Sequence, residues 1–179
     1  MAGAIALVLS ASLSGPAFAQ VDLHQSTVVA TLRHKTLPVD GRFRKFDAQV
    51  TFDPAKPANG SARVSVEMDS YELGDADVDR QVRGEDWFDA ADYPRASFVS
   101  SSIVPAGDGK YSVTGRLTVR GKTRDVIVPV SVSDEGATRI FEGSLPVSRR
   151  RFGIGQGEWV ATNVVADEVV IKFRLVVAK

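Results

Sequence analysis

The chain has 179 residues, a one-domain length, with 22 basic and 22 acidic residues and a formal net charge of zero. That balance leaves no basic surplus for a nucleic-acid partner or an anionic membrane surface, and the absence of cysteine excludes disulfides, thiolate chemistry and cysteine-ligated zinc. Val, Thr, Ser and Phe dominate, and helical stretches rich in Ala, Leu, Glu and Lys are scarce, so the expected class is all-β.

The first residues read as a leader. "AIALVLSASLSGPAFAQ" is an apolar stretch of signal-peptide length ending in Ala17-Phe18-Ala19, a small-x-small cleavage signature. Residues 1–19 are therefore expected to be a signal peptide, with Gln20 opening a single mature domain of residues 20–179. No Lys or Arg precedes Arg33, so the basic n-region usual in such leaders is missing from this stretch. No later segment is long and apolar enough to cross a bilayer as a helix, and no stable membrane insertion is expected.

Residues 26 to 34 alternate, with Val28, Ala30 and Leu32 on one face. Residues 39 to 52 read as one longer strand whose apolar phase runs Val39, Gly41, Phe43 and then shifts to Phe46, Ala48, Val50, Phe52, as a β-bulge would shift it. "DPAKPANG" is a turn-rich loop, and Ala62, Val64, Val66 and Met68 give a third strand. In "GDADVDRQVRGEDWF", Val78 and Val82 are four apart and Asp75 or Asp77 can cap a helix start, so one short helix is expected, ending near Gly84. Pro94 forces Tyr93 into an extended conformation. Strands follow at Ser97 to Val104, Tyr111 to Thr118, Asp125 to Ser133, Ile140 to Val147 and Glu168 to Ala178, divided by turn signals. In the last of them Val169, Ile171, Phe173, Leu175 and Val177 face one way. Eight antiparallel strands with hairpin-length links predict an extended up-and-down barrel with one short helix.

Four constellations carry possible chemistry. Asp75-x-Asp77-x-Asp79 looks like half of a calcium loop, but the sixth and twelfth positions hold Arg80 and Asp86, so a solvated turn with helix caps is the better reading. Glu85, Asp86, Asp89 and Asp92 could supply a general acid and base; with Arg80, Arg83 and Arg95 nearby, surface ion pairs and turn capping are preferred, and a carboxylate-dependent hydrolase stays as an alternative. His24 and His34 lack a third metal ligand and a nucleophile signature; His34 is read as a surface or barrel-mouth side chain. Ser148-Arg149-Arg150-Arg151 is read as a solvated strand end, with a phosphate contact as the alternative. No catalytic set, metal or cofactor is expected.

Five ordered elements carry a resemblance: "DLHQSTVVATLRH" followed by "VDGRFRKFDAQVTFDP", then "DRQVRGEDWFDAADYPRASF", "GRLTVRGKTRDVIVPV" and "RRRFGIG". Together, over about residues 22 to 178, the chain resembles the YceI-like family of secreted, lipocalin-like proteins that bind polyisoprenoids. The chain departs from the family's pattern where Gln81 replaces a His, Trp87 a Phe and Asp125 a Pro, and where Gln25 splits a His-Ser pair. The resemblance implies an eight-stranded lipocalin-like barrel in the periplasm or secreted, no catalytic residues, and an apolar lipid ligand such as an isoprenoid-quinone tail. It also implies that Trp87 and Phe88 plug apolar space while the carboxylates around them stay in solvent. Strand alternation places Val28, Ala30, Leu32, Phe43, Val64, Val66, Phe98, Leu117, Val128, Val130, Ile171 and Phe173 on the inner face, where a lipid would lie. A non-binding structural or stress-response barrel, packed solid, is the other reading. Monomer and dimer both stay open.

Overall fold

Period-two alternation sets most of the chain into strands, and the strands form one curled antiparallel sheet. A computed structural model of the chain describes residues 19–179. Its elements are β1 (Ala19–Gln20), β2 (Thr27–His34), β3 (Leu37–Phe43), β4 (Phe46–Thr51), β5 (Ser61–Glu67), β6 (Tyr71–Glu72), α1 (Ala76–Arg83), β7 (Arg95–Gly107), β8 (Lys110–Val119), β9 (Lys122–Glu135), β10 (Thr138–Ser148) and β11 (Val165–Ala178). The sheet order is β1-β4-β5-β7-β8-β9-β10-β11-β2-β3-β6. The all-β, barrel-like class holds, but among the described residues the strands number eleven where eight are expected.

The difference in count has a physical source. The expected strand from 39 to 52 is not one bulged strand. It breaks at Arg44–Lys45, so that β3 pairs with β2 while β4 pairs with β5. The corner is held by the short turn Met68–Ser70: Arg44 N donates to Ser70 O at 3.1 Å, and Lys45 N donates to Ser70 Oγ at 3.1 Å. Consecutive strands thus stand near opposite ends of the sheet order, which brings the sheet round on itself. The two-residue strands β1 and β6 add the rest. β1 pairs with β4, and the next residue, Val21, bridges to Val177 of β11. Apart from Ala19, the expected leader lies outside the described residues.

The inner face is narrow enough that rings need glycine opposite them. Gly143 pairs with Phe173 across β10 and β11, and a Cβ on Gly143 would stand 2.4 Å from Phe173 Cζ. Gly41 lies under Tyr71 in the same way, and the Tyr71 hydroxyl donates to Ala30 O at 3.0 Å. Burial pushes that phenol well above its ordinary pKa.

The helix starts where expected. Asp75 Oδ1 accepts from Asp77 N and Val78 N at 3.0 and 3.1 Å, satisfying two of the free amides at the helix start. Asp77 and Asp79 in the first turn and Arg80 and Arg83 in the last suit the helix dipole. Arg83 Nη2 donates to Tyr71 O at 2.9 Å, which ties the last turn to β6. α1 drops Val82 into the core and ends at Gly84.

Candidate functional site

The strands enclose an apolar cavity of about 200 Å³. All twelve residues that alternation placed on the inner face line it: Val28, Ala30 and Leu32 from β2, Phe43 from β3, Val64 and Val66 from β5, Phe98 from β7, Leu117 from β8, Val128 and Val130 from β9, and Ile171 and Phe173 from β11. The lining also includes Val50, Met68, Val113, Leu145 and Leu175, which share the same alternation and could have been found by it, and Tyr71 of the two-residue β6, which could not. Phe141 and Val147 both line the cavity six residues apart on β10, so it follows about 20 Å of strand at about 3.3 Å per residue. A void with so apolar a lining excludes water, which needs two to four polar partners.

One end is closed beside α1. Backbone bonds from Trp87 N to Gly84 O and from Phe88 N to Val82 O, each 3.0 Å, fold the chain back on the helix terminus. They point both aromatics inward, where Trp87 and Phe88 are buried and line the cavity. Trp87 packs on Trp159 with ring centroids 5.6 Å apart, and Phe88 meets Tyr71 edge-on at 5.2 Å.

Arg149 completes this end, and the expectation of a solvated strand end is corrected there. The run Arg149–Phe152 is a tight helical turn, not a continuing strand. Arg150 and Arg151 are exposed, whereas Arg149 is 1% exposed. A guanidinium has five N–H donors, and here they meet five backbone oxygens. Nε bonds Ala166 O at 3.0 Å, Nη1 bonds Ile154 O and Gly155 O at 2.9 and 3.2 Å, and Nη2 bonds Trp159 O and Val165 O at 2.7 and 3.0 Å. Its central carbon lies 5.6 Å from the Trp87 ring centroid. Burial pulls the guanidinium below its ordinary pKa, while Asp167 acts against that. Arg149 is thus a staple that binds the segment between β10 and β11 over the cavity. A second clamp is Arg120, which donates to Gly153 O and to Glu85 O and pairs with Asp89 at 3.5 Å.

The opposite end is closed by aromatics. Phe52, just past β4, stands edge-on to Tyr111 at 4.9 Å and to Phe141 at 5.5 Å. The Arg139 guanidinium lies 5.7 Å from the Phe52 ring centroid. It is held bidentately by Asp134, at 2.8 and 3.1 Å, and Lys179 reaches the same carboxylate at 3.2 Å. The Arg139 hydrogen bonds, helped by Lys179, depress the Asp134 carboxyl to about 2.

The remaining candidates lie away from the cavity. Glu85, Asp86 and Asp92 are exposed and Asp89 is half-buried against Arg120; none of the four lines the cavity. Asp75 is the helix cap, Asp77 pairs with Arg80 at 2.9 Å, and Asp79 accepts from Leu73 N at 2.6 Å. His24 and His34 are exposed, and His34 sits at the end of β2 without lining the cavity. Among the described residues no three His, Asp or Glu side chains converge as cation ligands would.

The sequence model of the family described as "YceI-like domain" matches residues 20–177. A UPF0312 protein of Shewanella denitrificans is 33% identical over 139 residues, covering 74% of this chain and 73% of its own. The crystal structure of Burkholderia cenocepacia BcnA superposes with a TM-score of 0.87 at 53% identity, covering 88% of this chain and 99% of that one. A polyisoprenoid binding domain from Saccharophagus degradans, implicated in plant cell wall breakdown, superposes with a TM-score of 0.71 at 15% identity. It covers 89% of this chain and 98% of its own, and at that identity it speaks to the fold alone.

Proposed function

The chain belongs to the YceI-like domain family, and on that premise we propose that it is an exported carrier whose barrel holds a polyisoprenoid or the isoprenoid tail of a quinone, for storage or transport. The observation that carries this reading is the apolar cavity running between the two capped ends of the barrel. A void of about 200 Å³ left empty forgoes about 5 kcal/mol at about 24 cal/mol per Å³, and an apolar chain entering it gains about 0.8 kcal/mol per buried CH₂. The Saccharophagus degradans domain, alike in fold, is a polyisoprenoid binding domain, and the same ligand class is proposed for this chain. The carboxylates at 85 to 92 lie outside the cavity and do not reach anything held within it, so the reading is of a binding protein and not of an enzyme.

Export rests on the apolar stretch ending in Ala17-Phe18-Ala19; N-terminal sequencing of protein from its native envelope is expected to start at Gln20, and a chain starting at Met1 refutes it. Binding is tested by titrating delipidated protein with a fluorescent isoprenoid. Saturable binding displaced by unlabelled isoprenoid is expected, and its absence overturns the carrier reading.

A further inference from the structure

The two ends of the cavity are built differently. At the helix end the lining residues Val82, Trp87, Phe88, Arg149 and Phe152 are each less than a tenth exposed; Val147, Ile154 and Val169 beside them are half-exposed, with Ile154 pinned through its carbonyl by Arg149. Opening that end means breaking the five bonds of Arg149 and the clamp of Arg120. The Trp87 indole N–H is buried and unpaired among the described residues, so a ligand oxygen reaches it only if its neighbours move. At the other end Phe52, Ala62, Tyr111 and Val132 line the cavity while half-exposed. Phe52 opens the turn-rich loop from Asp53 to Gly60, and its ring is held by stacking alone, on Tyr111, Phe141 and Arg139. A ring so held turns aside without loss of a hydrogen bond.

The polar groups around Phe52 define what such an opening would meet. Asp134 occupies Nε and Nη2 of Arg139, which leaves Nη1 and the Tyr111 hydroxyl as donors without a partner among the described residues. Tyr111 and Asp53 are close enough to act on Arg139 electrostatically. The two cations, Arg139 and Lys179, are matched by Asp134 and Asp53, so the mouth has donors to spare but no surplus positive charge for a phosphate.

Resting on the carrier reading, we propose that the ligand enters tail first past Phe52, with a neutral oxygen-bearing head, a ketone or a hydroxyl, left at this mouth between Arg139 and Tyr111. Phe52 is the gate, and Arg139 and Tyr111 set head-group preference.

The chain's two tryptophans, Trp87 and Trp159, both sit at the far end, which gives the test. Delipidated full-length protein is titrated with a short-tailed isoprenoid benzoquinone, whose head quenches indole emission at short range, and retention is read separately by gel filtration. Binding with tryptophan emission largely kept is expected. Binding with strong quenching puts the head beside Trp87 and overturns the inference while leaving the carrier reading standing. Arg139→Gln and Tyr111→Phe are each expected to weaken the benzoquinone by about tenfold, one hydrogen bond's worth, and to leave a head-free isoprenoid hydrocarbon unchanged; equal losses for both probes contradict a head-group site. Tighter binding of a polyprenyl phosphate than of the benzoquinone overturns the neutral head. Retention of none of the three probes overturns the carrier reading and this inference together.

Discussion

Val128→Trp separates a ligand lumen from a solid core by the sign of its effect. Val128 lies mid-β9 opposite Val113, is 5% exposed, and lines the cavity. In a close-packed interior an added indole forces neighbours off their rotamers at about 1–3 kcal/mol. Here it has a void to enter. If it fills half of the cavity of about 200 Å³, it recovers about 2 kcal/mol at about 24 cal/mol per Å³, and for a chain of this size that raises Tm by about 4–8 °C. The assay pairs thermal unfolding of delipidated protein with retention of a fluorescent isoprenoid. A higher Tm and lost retention are expected, because the indole and the ligand compete for one space. A lower Tm with retention unchanged would show that Val128 faces packed side chains and that the ligand lies elsewhere.

Other changes test the supporting structure. Arg149→Met leaves five backbone oxygens facing a thioether, and denaturant titration is expected to show a loss of about 3–5 kcal/mol; Arg149→Lys restores little, since an ammonium has three donors. A loss too small to measure would contradict the staple. Gly143→Ala puts a Cβ 2.4 Å from Phe173 Cζ and 2.9 Å from Pro129 O, so a loss of about 1–3 kcal/mol is expected, with weaker isoprenoid binding as the Phe173 ring is pushed into the lumen; a neutral result in both refutes the close approach. The Asp134 carboxyl titrates at about 2 in the folded chain against an ordinary 3.8. Its depressed pKa makes its stabilisation complete above about pH 4 and lost as pH falls through about 2. Thermal melts over that window are expected to fall less steeply for Asp134→Asn than for the unmodified protein, and identical slopes contradict the pairing with Arg139.

The lumen was legible because strand alternation is a property of neighbouring residues. Val28, Ala30 and Leu32, or Ile171 and Phe173, need only period two to share a face. What alternation does not record is which strand lies alongside. The phase shift after Phe43 was visible, but its meaning, a corner whose halves pair with β2 and β5, depends on Ser70 meeting Lys45 from 25 residues away. β1 and β6 are two residues each, too short to show any period. Arg149 was hidden for another reason. Beside two exposed arginines its type signals solvent, and its burial depends on oxygens of residues 154 to 166 that reach it only in the fold. The glycines at 41 and 143 carry no sign in the sequence of the Tyr71 and Phe173 rings that approach them inside the barrel.

Whether the barrel carries an isoprenoid chain is read from mass spectrometry of the organic extract of protein purified without detergent from the cells that make it. An isoprenoid species is expected, in amounts comparable with the protein, that is lost from a Val128→Trp preparation handled alike. An extract free of isoprenoids, from protein that also refuses added isoprenoid after delipidation, would contradict the carrier reading.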